Sequence, residues 1–111
     1  MTRQLTVKDA VNEAIRLEMR NDPSVFLIGE DVAGGAGNDH IPGALDAWGG
    51  PFGVTKDLVT EFGRERVIDS LLAETGFVGA CIGATFAGMR PIAEIMYSDF
   101  IGTSFDQILN H

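Results

Sequence analysis

A chain of 111 residues suits one domain, and 45% hydrophobic with 22% charged residues is a globular balance that excludes extensive disorder. Acidic residues outnumber basic ones by 16 to 8, and the net charge of -8 repels phosphate backbones and anionic lipid, so nucleic acid and membrane are not expected partners. The one cysteine, Cys81, cannot close an internal disulfide and reads as a small buried hydrophobe. No signal-peptide core follows Met1, and the longest near-apolar run, Phe77 to Met89, is too short for a bilayer. A cytoplasmic or organelle-matrix location is therefore expected.

Residues 6–21 are predicted as a helix. Thr6 can cap it, and Val7, Ala10, Val11, Ala14, Ile15 and Met19 recur on one face. Asn21-Asp22-Pro23 stops it. Val25-Phe-Leu-Ile28 is a continuous apolar run closed by Gly29, the pattern of a strand buried on both faces. Glu30 and Asp31 then stand at its carboxyl end. Residues 33–53 form a long glycine-rich loop, a length that is uncommon without a functional reason. A helix is predicted over 55–62, ended by Gly63, and a strand over 67–69. Residues 75–88 read as a helix despite Gly76, Gly79, Gly83 and Gly88. An interior glycine costs a helix about 1 kcal/mol against alanine, so close approach by another backbone, which can belong to another chain, is the expected compensation. A third strand is predicted over 92–96, and Asp99 is placed at the start of a last helix carrying Phe100, Phe105, Ile108 and Leu109. This alternation predicts an α/β fold, a mostly parallel sheet with helices on both faces and right-handed crossovers.

Ligands of open parallel sheets bind beyond the carboxyl ends of the strands. Glu30 with Asp31, Glu74 and Asp99 all fall there. Glu74 precedes a helix whose N-terminus favours a carboxylate, so capping and ligand binding suit it equally. For Asp99 capping is the stronger reading, and for Glu30 and Asp31 a solvated loop. His40 and His111 are far apart and lack metal-ligand partners, so no metal site is expected. Neither a nucleophile elbow nor a phosphate-binding loop is present, and Ser70 and Cys81 have no base near them in sequence.

Several runs in fixed order carry a more specific signal. They are Thr6-Val-Lys-Asp-Ala-Val-Asn-Glu-Ala14, Val25-Phe-Leu-Ile-Gly-Glu-Asp-Val32 and Phe52-Gly-Val-Thr-Lys56. Arg66-Val-Ile-Asp69, Glu74-x-Gly76-Phe77, Ala87-Gly-Met-Arg-Pro91 and Phe105-Asp-Gln-Ile108 follow. On these the chain resembles the N-terminal part of the beta subunit of thiamine diphosphate-dependent 2-oxo acid dehydrogenases of the pyruvate, branched-chain and acetoin type. Asp46-Ala-Trp48-Gly-Gly looks closest to the acetoin type. The resemblance implies that residues 1–111 are the N-terminal part of a pyrimidine-binding, transketolase-like domain. It implies that Glu74 is catalytic, hydrogen-bonding a ring nitrogen of the cofactor aminopyrimidine and so favouring the tautomer that can take the thiazolium proton. Phe100 is implied beside that ring, and Glu30 in a proton path between paired sites.

The same resemblance implies a shared cofactor, with magnesium and diphosphate held by a partner alpha subunit. A second beta subunit and a lipoyl-bearing acyltransferase complete the implied partners, in a heterotetramer-based oxidoreductase. Two departures stand out. Relatives usually carry Asp-Thr-Pro where this chain has Asp69-Ser70-Leu71, and the magnesium and diphosphate signature is absent. The chain alone is therefore expected to be inactive, and to associate with itself. The alternatives are a truncated subunit that only docks, or a transketolase-like enzyme fragment. The chain ends at Asn110-His111 within a predicted helix, which suggests the front part of a longer polypeptide.

Overall fold

The structure is a computed structural model that describes residues 3–35 and 49–111. His40, Trp48 and most of the predicted glycine-rich loop lie outside the described residues.

Helix α1 (Val7–Asn21) starts where expected: the Thr6 side chain accepts a hydrogen bond from the Asp9 N–H at 3.1 Å. Of its predicted apolar face only Ile15 and Met19 are buried, while Val7 and Val11 are exposed. Strand β1 (Val25–Glu30) is longer than the apolar run, because the ladder continues through Gly29 and ends on Glu30. Burial on both faces is not what it shows. Val25, Leu27 and Gly29 are buried and their alternates are half-buried.

Helix α2 is only Leu58–Phe62, shorter than the predicted 55–62. Asp57 takes a left-handed conformation (φ 66°) that cannot continue a helix, and Thr55 is held in a turn. Gly63 ends α2 with φ 76°, a conformation that favours glycine. Strand β2 (Val67–Ser70) follows, then α3 (Glu74–Phe86) and β3 (Arg90–Glu94). Strand β3 begins two residues before the predicted 92. Pro91 is tolerated because β3 is an edge strand, where a missing N–H need cost no ladder bond.

The predicted last helix is divided. A 3-10 helix spans Ser98–Ser104 and α4 spans Phe105–Asn110. Tyr97, not Asp99, occupies the cap position of the first, and Asp99 lies in its first turn. Phe105, Ile108 and Leu109 are exposed rather than covered.

The sheet is parallel throughout, in the order β2-β1-β3. Ile15 and Met19 of α1 and Leu58 and Val59 of α2 share one buried cluster with Val25, Leu27 and Val67, so α1 and α2 cover the same face. Helix α3 packs on β3 with Phe77, Val78 and Cys81 buried outside that cluster, which puts it on the other face. The chain steps from β1 to β2 in one direction and from β2 to β3 in the opposite one. Helices on opposite faces give both crossovers the same hand, as the rule for parallel sheets requires.

One guanidinium closes the lower end of this layer. Arg66 donates to the carbonyls of Met19, Asp22 and Val25 at 2.7, 2.9 and 2.7 Å, tying the end of α1 to the start of β1. Arg66 also lies 5.2 Å from the Phe62 ring centroid.

Candidate functional site

Strand order reverses about β1, and ligands of such sheets usually sit beyond the carboxyl ends of the strands. Glu30 ends the central strand, with Ser70 of β2 as its register partner. Glu94 ends β3 opposite Gly29. Glu74 opens α3 four residues beyond β2, and Phe100 sits in the 3-10 helix beyond β3.

Glu74 is half-buried in the first turn of α3. The cap position belongs to Ala73, which offers no side-chain bond, so Glu74 is not the helix cap. Its carboxylate instead meets the positive end of a 13-residue helix. Its charge reaches Glu30. Burial pushes the Glu30 carboxyl up, and the charges of Asp31 and Glu74 push the same way.

Phe100 is half-buried, and its ring meets Tyr97 edge-to-face at 5.4 Å. Tyr97 meets Phe52 the same way at 5.5 Å. Phe52 belongs to the segment that leads into α2, whereas Tyr97 and Phe100 belong to the 3-10 segment, so two separate stretches of chain build this aromatic row. Hydrogen bonds join it to α3. The Thr103 hydroxyl donates to the Phe100 carbonyl at 2.7 Å, and the Thr75 hydroxyl donates to the Thr103 carbonyl at 2.5 Å.

Two residues escaped the sequence reading. Glu94 was counted only as part of an apolar strand, yet its Oε2 is buried with no hydrogen-bond partner among the described residues. Burial and the nearby Glu30 charge raise its carboxyl pKa. An acidic residue in an otherwise apolar strand was the available signal. Asp69 holds the backbone after β1: its Oδ1 accepts from the Ala33 N–H at 2.6 Å, while Arg64 donates to the Ala33 carbonyl at 2.9 Å. Asp69 thus anchors the segment carrying Glu30 and Asp31, although the next residues are Ser70-Leu71 rather than Thr-Pro.

Cys81 is buried and free, and burial raises its thiol pKa. Asp99 is exposed, and His40 lies outside the described residues. Among the described residues no group of His, Cys, Asp and Glu is arranged to hold a metal ion, and no helix is long and apolar enough to cross a membrane.

The arrangement suits one kind of ligand part. A carboxyl at a helix start and an aromatic ring, joined through two threonines, can hold a flat nitrogen heterocycle by hydrogen bond and ring contact. Glu30, Asp31 and Glu94 make the same end acidic, which opposes a diphosphate. A carboxyl beside a ring suits a heterocycle, and the acidic surroundings do not suit a phosphate group.

Comparison with known proteins agrees with this architecture. Over 110 residues the chain is 56% identical to the Bacillus subtilis acetoin:2,6-dichlorophenolindophenol oxidoreductase subunit beta, covering 99% of this chain and 32% of that relative. The Cupriavidus necator protein of the same name is also 56% identical, with 99% of this chain and 31% of the relative covered. The pyruvate dehydrogenase E1 component subunit beta of Rickettsia conorii is 41% identical over 107 residues, covering 96% of this chain and 29% of the relative. The chain thus spans about a third of the length of the curated relatives it matches. Residues 3–111 match the family described as transketolase, pyrimidine binding domain, and the chain belongs to that family.

Proposed function

We propose that residues 1–111 form the N-terminal part of the pyrimidine-binding domain in the beta subunit of a thiamine diphosphate-dependent dehydrogenase. The substrate is acetoin or a 2-oxo acid of the pyruvate type. The relatives named for acetoin are 56% identical and those named for pyruvate dehydrogenase reach 44%, which favours acetoin. The observation that carries the reading is Glu74: a half-buried carboxylate at the start of α3, at the carboxyl end of a parallel sheet, joined through Thr75 and Thr103 to Phe100.

When bound, the cofactor supplies an electron sink for carbon–carbon bond cleavage. Glu74 holds a proton between its carboxyl and the aminopyrimidine ring nitrogen, and so favours the tautomer competent for proton transfer. Phe100 packs on the ring and orients it. In this reading Glu30, whose carboxyl pKa burial and the charges of Asp31 and Glu74 raise, joins a proton path toward Glu74. The acidic residues at this end of the sheet leave magnesium and diphosphate to an alpha subunit. A second beta subunit and a lipoyl-bearing acyltransferase complete the assembly.

The test is Glu74→Gln in the full-length beta subunit assembled with its alpha subunit. Loss of at least roughly 100-fold in turnover, with the assembly intact, is the expected result for a residue that moves a proton in the reaction. Activity equal to the parent would overturn the assignment.

A further inference from the structure

The bond between Thr75 and Thr103 crosses from α3 to the 3-10 helix, and it is a side-chain link rather than part of any helix or ladder. Thr75 follows Glu74 directly. Thr103 carries the link onward, its hydroxyl donating to the Phe100 carbonyl. The Phe100 N–H donates in turn to the Tyr97 carbonyl at 3.0 Å, and the Tyr97 ring braces the Phe100 ring. A continuous path therefore joins the carboxylate of one segment to the aromatic ring of another. Both residues come from segments that follow different strands, so the sheet alone does not fix the span between them.

We propose that Thr75 is a positioning residue, setting through Thr103 the distance between the Glu74 carboxyl and the Phe100 ring that together clasp the aminopyrimidine. The inference rests on the reading of Glu74 given above. Thr75 touches neither reacting atom. Its hydroxyl makes one bond, which adds a directional link between the two halves of a ring-binding clasp to the packing of α3 on the 3-10 helix. A ligand gripped from both sides loses affinity when the two grips can drift apart, because binding must then also fix their separation.

The experiment uses the assembled alpha–beta enzyme. Thr75→Val removes the hydroxyl at nearly constant shape, and Thr75→Ser restores it. Thiamine diphosphate dissociation constants, turnover at saturating cofactor and the melting temperature of the cofactor-free assembly are measured for each. The loss of one net hydrogen bond predicts about 5-fold weaker cofactor binding in Thr75→Val, with recovery in Thr75→Ser. Thr103→Val cuts the next link and gives the same loss, and the double variant loses no more than either single one. Cofactor binding in Thr75→Val as tight as in the parent overturns the proposal. So does an affinity loss matched by an equal loss of stability in the cofactor-free assembly, which would mark a purely structural role. Glu74→Gln, run alongside, separates the failures. Full activity there removes the reading of Glu74 and this inference with it. Inactivity there with unchanged affinity in Thr75→Val removes the positioning role alone.

Discussion

Gly29 and Glu94 are register partners across β1 and β3, and they approach so closely that a methyl group on Gly29 would sit 2.9 Å from the Glu94 Cβ. The Glu94 carbonyl and a Val32 methyl crowd the same point at 3.0 Å each. The absent side chain at 29 is what lets an acidic residue end β3 beside the central strand.

Replacing that glycine therefore has a structural cost. Gly29→Ala is expected to destabilise the chain by about 1–3 kcal/mol, because backbone and packed side chains must shift to admit the methyl. Urea denaturation measures this as a lower midpoint at constant slope. A midpoint equal to the parent's would show that β3 yields freely.

Glu94 makes stability pH-dependent in a stated direction. Burial and the Glu30 charge raise its folded pKa, so the folded chain holds that proton more tightly than the unfolded one. Its contribution then falls as pH rises from the ordinary carboxylate range through the raised folded value, and is neutral below both. Glu94→Gln removes the ionisation. Relative to the parent it should melt higher at about pH 8, with the difference shrinking toward about pH 4, where the parent is protonated. Asp22 and Glu61 act with opposite sign, since hydrogen bonds from Ser24 and from Arg20 lower their pKa values. Those two are common to both proteins, so the comparison cancels them. A difference constant across pH would remove Glu94 as its source.

The glycines of α3 are separable. A Cβ on Gly83 would meet nothing within 4 Å, whereas one on Gly79 would lie 2.6 Å from the Gln107 Oε1 of α4. Gly83→Ala should stabilise this chain by about 1 kcal/mol, the helix-propensity gain. Gly79→Ala should gain less, because Gln107 must turn away. Urea midpoints rank the two. If the open face at Gly83 receives a partner helix in the enzyme, the same variant weakens assembly with the alpha subunit, read by gel filtration. The opposite order of midpoints would contradict the packing around Gly79.

Much of the fold was legible because it depends on local rules. The Thr6 cap, the Asn21-Asp22-Pro23 stop and the Gly63 end are local chemistry, and the structure has all three. Strand ends were less legible. The apolar run stopped at Ile28, yet the ladder runs to Glu30, because backbone pairing is indifferent to side-chain polarity at a sheet's end. The predicted strand began at 92, yet β3 includes Pro91, which the position of β3 at the edge of the described sheet makes harmless.

The sequence by itself determined the order of elements, the acidic residues beyond the strands and the motifs that led to the family. These follow from patterns spanning a few residues each. Tertiary structure decided which of those acids matter to one another. It set Glu30 within reach of the Glu74 charge, turned Glu94 from strand filler into a buried carboxyl, moved Asp99 away from the cap position, and tied Thr75 to Thr103 across 28 residues of chain. The physical reason is that charge coupling, desolvation and side-chain hydrogen bonding depend on distance in space, and separation along the chain carries no such information.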